Sequence, residues 1–194
     1  MTTSEQSTLD GSRSSSPHEK PSRASSAKSW TSTIALAVGL TILLRMTLFQ
    51  AYSIPSPSMV PTLNVGDRVL VWYASKHPSR GDIIVFNRPP LNPKMSADEP
   101  DVLIKRVIGL PGETVTAVDG VVYIDGNRLE ESYLPDGTQT IIDAPITVPS
   151  DEYLVLGDNR LQSVDGRRFG TISQELIVGR AVLRIWPPNR LGGL

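Results

Sequence analysis

The sequence predicts an all-β domain of short antiparallel strands, sandwich-like or barrel-like, behind a single N-terminal apolar helix. Three observations carry this expectation. An apolar stretch runs from Trp30 to about Tyr52. Behind it, short β-branched and aromatic runs recur, each closed by Gly, Pro or Asp. Two of those runs are joined through Asp119-Gly120, a pair that favours a tight hairpin because both turn residues take positive φ.

Length sets the frame. A chain of 194 residues fits one compact domain plus appendages. Residues 1–29 are rich in Ser, lack apolar periodicity and read as a disordered tail on the cytoplasmic side. Acidic Glu5, Asp10 and Glu19 within it speak against an organelle transit peptide. Residues 30–52 read as a transmembrane anchor, since about 20 apolar residues span a bilayer as helix. Arg45 lies toward its far end, where a long side chain snorkels to the interface. Trp30, Phe49 and Tyr52 resemble an aromatic belt, and Lys20, Arg23 and Lys28 put the N-terminus in the cytoplasm. A cleaved signal peptide and a buried helix are the competing readings. Gln50-Ala51-Tyr52-Ser53 is not a clean small-x-small cleavage site, which favours a retained anchor.

Residues 53–194 would form the extracytoplasmic domain. Its strand-like runs are 68–73, 82–86, 102–108, 114–118, 121–124, 141–142, 146–148, 153–156 and 182–186. Asp125-Gly126 ends the fifth of them. A short helical turn is expected over 172–177 with Ser173 as its N-cap. Proline-rich 87–101 is expected as a loop.

Composition removes several chemistries. The chain has no cysteine, so disulfides, cysteine-held metals and a thiol nucleophile are out. Its two histidines, His18 and His77, cannot build a His-rich metal site. A Ser-His-Asp triad could use only His77, and nothing marks it as a base. A formal charge of -1, with no basic stripe among aromatics, gives no argument for nucleic acid. Neither cofactor nor metal is expected.

Three segments carry candidate chemistry. Ile54-Pro55-Ser56-Pro57-Ser58-Met59-Val60-Pro61-Thr62-Leu63 holds two hydroxyls two residues apart among stiffening prolines. In an extended segment Ser56 and Ser58 would face one side; a plain Pro/Ser linker fits the same residues. Lys105 sits in Leu103-Ile104-Lys105-Arg106-Val107-Ile108, a run apolar enough for a core strand. Alternation sends Lys105 and Arg106 to opposite faces, so one cation would face inward. A buried lysine has a lowered pKa and, when neutral, takes a proton from a serine. An edge strand with both cations in water fits the same run. Gly157-Asp158-Asn159-Arg160 through Gly170 is a polar stretch dense in turn formers, in which Ser163 is a candidate to orient the lysine.

Together these segments, with Arg80-Gly81-Asp82 and Gly109-Leu110-Pro111-Gly112-Glu113, resemble bacterial type I signal peptidases, membrane-anchored Ser/Lys proteases, in the family's order. The resemblance implies an antiparallel catalytic domain of the signal-peptidase type. It implies Ser58 as nucleophile and Lys105 as general base. It implies an oxyanion hole from the Ser58 N–H and the Ser56 hydroxyl, and Ser163 orienting Lys105. Asp158, Arg160, Asp165 and Arg167 would be structural. Gly166 stands where many members carry serine, and Leu161 where an acidic residue is common, which bears on the bonding around Asp165.

The function so implied is removal of signal peptides from preproteins after small residues, in an Ala-x-Ala pattern. The expected partners are preprotein signal peptides and the lipid bilayer. The expected location is the plasma membrane, with the thylakoid membrane as the second possibility. Met59, Val60 and Trp72 are candidates to dip into the interface. Two other readings fit parts of the chain: a membrane-tethered binding module without catalysis, and a self-cleaving Ser/Lys repressor. The latter needs a DNA-binding helical domain and an internal Ala-Gly or Cys-Gly bond, and the sequence carries neither.

Overall fold

The computed structural model describes residues 23–89 and 100–194, with 23–29 and 43–47 described by backbone alone. Most of the expected tail, His18, the Arg45 side chain, and Pro90 and Pro93 of the expected loop lie outside the described residues. The chain divides after Ile42 into two compact units.

The N-terminal element is α1 (Arg23–Leu48), a helix of 26 residues. Trp30, Ile34, Leu36, Val38, Leu40 and Ile42 on it are exposed. Among the described residues no helix is long and apolar enough to cross a membrane. The helix ends at Leu48, earlier than the expected anchor boundary at Tyr52. Phe49–Ser53 forms a strand instead, β1, antiparallel to β2 (Arg68–Trp72), with Phe49 opposite Trp72 and Tyr52 opposite Val69. Aromatic residues with aromatic and β-branched partners across the ladder favour strand over a further helical turn.

The remaining strands are β3 (Ile83–Asn87), β4 (Val102–Gly109), β5 (Thr114–Val118), β6 (Val121–Ile124), β7 (Asn127–Arg128), β8 (Ile146–Thr147), β9 (Glu152–Leu156), β10 (Ile172–Ser173), β11 (Ile177–Trp186) and β12 (Gly192–Gly193). Every pairing is antiparallel. The larger sheet is an open path, β1-β2-β11-β3-β4-β9-β10, with β12 on β11. The smaller runs β7-β6-β5-β8.

Local chemistry explains the turns. Asp119 and Gly120 take φ of 49° and 80° between β5 and β6, a type I′ geometry. Asp125 and Gly126 take 49° and 79°, so the pair expected to end a run opens a second hairpin, β6 to β7. Ser173 caps a 3₁₀ turn over Gln174–Leu176, accepting from the Glu175 N–H, as the sequence suggested. Ile141 and Ile142, expected as strand, join no ladder among the described residues. Ile141 is exposed, and pairing with β5 begins at Ile146.

Burial on both faces makes β3 a continuous apolar run. Ile83 and Val85 join a cluster with Ile54, Met59, Leu63 and Val69. Ile84 and Phe86 join another with Val107, Val155 and Phe169. A third cluster, including Ile108, Val115 and Leu154, fastens the smaller sheet to β4 and β9. β4, running beside β3, therefore holds its central residues out of water.

Candidate active site

The sequence expected one inward cation on β4. Both are buried: Lys105 is 3% exposed and Arg106 7%. Each has its own reason to be tolerated there. Lys105 Nζ lies 2.8 Å from Ser58 Oγ and 2.9 Å from the Ile104 carbonyl. Arg106 leaves the strand toward Asp158, donating from Nε at 2.9 Å and from Nη2 at 2.6 Å. A third donor reaches the Gly81 carbonyl at 2.7 Å. The Tyr133 ring covers the guanidinium, 3.8 Å from its centroid. Asp158 also accepts from Thr62 Oγ1 at 2.6 Å. A buried charge needs this degree of pairing.

Ser58 does not sit in extended backbone. Pro57–Met59 is a 3₁₀ turn with Pro57 at its start, where a missing N–H costs nothing. Ser56 just before it is extended, with φ −126° and ψ 155°. The two hydroxyls still meet, with Oγ to Oγ 3.2 Å. Met59 is fully buried and pins the turn to the core, so it does not reach outward as expected. Val60 and Trp72 are half-buried. Ser58 is 5% exposed.

The polar segment is a brace. Asp165 caps α2 (Gly166–Phe169), accepting from the Arg167 N–H at 3.2 Å and from the Arg167 side chain at 2.8 Å twice. It also accepts from Gly157 N–H at 2.9 Å. The substitution at Gly166 therefore leaves Asp165 fully bonded. A Cβ at Gly166 would lie 2.6 Å from Leu154 Cδ1, so glycine suits this packing. Leu161 is exposed. Arg160 bonds Glu131 at 2.5 Å and the Gly157 carbonyl at 3.1 Å, and it also reaches Thr140. Burial works against its charge, but the Glu131 carboxylate outweighs this and raises its pKa.

Ser163 is buried, and its Oγ has no hydrogen-bond partner among the described residues. The expected bond from Ser163 to Lys105 is not made. The hydroxyl lies instead against Gly157, where an added Cβ would collide with it. His77 is exposed between β2 and β3; the basic group on Ser58 is Lys105. Glu131 and Tyr133 escaped sequence reasoning. They lie in an irregular stretch beyond β7, and no periodicity marks a residue whose partner is a distant buried arginine.

A small pocket of about 90 Å³ opens beside the Ser58–Lys105 pair, lined by Pro55, Ser56, Val102, Leu103, Ile104, Gln162 and Val164 among others. A buried amine on a serine hydroxyl, next to an open pocket, can activate the hydroxyl for attack on a carbonyl.

A family model described as signal peptidase, peptidase S26, matches residues 27–186. Signal peptidase I of Leptolyngbya laminosa is 47% identical over 167 residues, 84% of this chain and 81% of that one. Signal peptidase I of Bacillus amyloliquefaciens is 35% identical over 189 residues, 91% and 97% of the two chains. Thylakoidal processing peptidase 1, chloroplastic, of Arabidopsis thaliana is 38% identical over 161 residues, 80% of this chain and 47% of its own length.

Proposed function

The chain belongs to the signal peptidase family, peptidase S26, and from that premise we propose that Ser58 is its nucleophile and Lys105 its general base. Membership makes it a serine endopeptidase that removes signal peptides from preproteins. The observation that carries the proposed mechanism is the buried 2.8 Å contact between Lys105 Nζ and Ser58 Oγ.

Neutral Lys105 takes the proton from Ser58 Oγ as that oxygen attacks the scissile carbonyl carbon. The carbonyl oxygen becomes an oxyanion, held by the Ser58 N–H and the Ser56 hydroxyl. The intermediate collapses, the C–N bond breaks, and Lys105 returns the proton to the leaving amine. Water then attacks the acyl-enzyme with Lys105 again as base, releasing the carboxylic acid and Ser58. Preorganised donors of this kind contribute about 3–4 kcal/mol each in other serine proteases. Asp158 supports the scheme by pairing with Arg106, the neighbouring buried cation of β4.

The pocket of about 90 Å³ favours cleavage after small residues of the Ala-x-Ala kind. A membrane location is the second part of the reading. Apolar Ile34 to Leu44 and the exposure of Trp30, Leu36 and Leu40 support an anchor with the catalytic domain outside the cytoplasm. The bacterial and chloroplast relatives support the plasma membrane, with the thylakoid membrane as the alternative.

The test is cleavage of a preprotein with an Ala-x-Ala site, in detergent, by wild type, Ser58→Ala and Lys105→Ala. Cleavage by wild type alone is expected. Cleavage that survives Lys105→Ala would overturn the base assignment.

A further inference from the structure

Asn159 belongs to the polar brace, yet none of the roles above uses it. Its backbone N–H donates to the Ser58 carbonyl at 3.0 Å. Its side-chain Nδ2 donates to the Pro57 carbonyl at 3.2 Å. One residue therefore holds both peptide units that flank the Ser58 Cα.

The Pro57 carbonyl and the Ser58 N–H belong to the same planar peptide unit. In a trans unit they point in opposite directions, so fixing the oxygen aims the hydrogen. The Pro57 oxygen also accepts from Val60 N–H at 3.1 Å. Two donors on a carbonyl polarise its amide and strengthen the donor at the other end. We propose that Asn159 is a positioning residue for the oxyanion hole. It would hold the Pro57–Ser58 peptide so that the Ser58 N–H meets the oxyanion of the tetrahedral intermediate. This rests on Ser58 being the nucleophile.

Gly157 makes the approach possible. A Cβ there would lie 2.5 Å from the Ser58 carbonyl oxygen, so any larger residue would push the brace away from the nucleophile turn.

The test uses the full chain with Ser58→Ala, Asn159→Ala and Asn159→Asp. Asn159→Asp keeps the backbone N–H and the side-chain size but cannot donate to the Pro57 carbonyl. Three quantities are read: kcat and KM on a preprotein, affinity for a peptide aldehyde ending in Ala-x-Ala, and affinity for the matching product peptide. The aldehyde adds Ser58 Oγ to its carbonyl carbon and so creates the oxyanion; the product peptide does not. Both Asn159 variants should lower kcat about tenfold, less than the 10²–10³ lost when an oxyanion donor is deleted outright. KM and product-peptide affinity should stay within about twofold, while aldehyde affinity falls with kcat. Unchanged kcat or aldehyde affinity in Asn159→Asp, with Ser58→Ala inactive, would overturn this inference alone. Cleavage by Ser58→Ala would overturn the nucleophile assignment and this inference with it. If Asn159→Ala fails to fold, Asn159→Asp decides.

Discussion

Arg106 and Asp158 form a buried ion pair, 2.6 Å from Nη2 to Oδ2, one residue along the strand from Lys105. Both side chains are almost wholly out of water, at 8% and 0% exposure. Removing one partner strands the other charge. Asp158→Asn should cost about 3–5 kcal/mol of unfolding free energy, read from the urea midpoint. Thr62→Val, which deletes one donor to Asp158, should cost about 1–2 kcal/mol in the same measurement.

Lys105→Arg puts a permanent cation where the proposed base stands. A guanidinium holds its proton at any working pH. Cleavage should fall by about 10⁴-fold or more, as for other members of catalytic units that act together. Near-ultraviolet circular dichroism should show that tertiary packing survives. Activity within tenfold of wild type would mean that Lys105 is not the base.

Ser163 Oγ is buried without a hydrogen-bond partner among the described residues. Such a hydroxyl costs stability, so its deletion should not harm the fold. Ser163→Ala should leave the urea midpoint unchanged or raised. If the hydroxyl turns to the lysine during reaction, kcat should fall about tenfold or more. Equal kcat in the two proteins would leave Ser163 as a filler beside Gly157.

Glu113 is clasped by Arg80, with Nη1 2.8 Å from Oε2, and by the Leu110 N–H at 2.7 Å. The Arg80 hydrogen bond outweighs burial and holds the Glu113 carboxyl below its ordinary pKa. A carboxylate with a lowered native pKa stabilises above its unfolded pKa of about 4.3 and loses that contribution as pH falls through the native value. Glu113→Gln should therefore be less stable than wild type by about 1 kcal/mol at pH 7. The gap should close as pH falls below about 4. Urea midpoints measured from pH 7 to pH 3 check this.

Much of the site was legible because its residues are individually out of place. A lysine in an apolar run and serines among prolines stand out against their surroundings. The two Asp-Gly turns were readable because their backbone geometry admits few residues. What escaped depends on partners far along the chain. Phe49–Ser53 reads as the end of an apolar helix until β2 is known to lie beside it. Only one cation of the Lys105-Arg106 pair reads as inward until Asp158 and Tyr133 are known to meet Arg106. Ile141 and Ile142 have strand propensity but no ladder to join. Propensity is local, and each of these outcomes was decided by packing.

The order of strands in the larger sheet has a consequence for how the enzyme is made. Ser58 lies between β1 and β2, and Lys105 lies on β4. In the sheet these two groups of strands are joined through β11, which the ribosome delivers after both. β11 pairs with β2 on one side and β3 on the other, so the sheet that sets Ser58 against Lys105 is complete only once this strand is in place. A chain stopped before Ile177 therefore lacks the seam between the two parts of the sheet that carry Ser58 and Lys105.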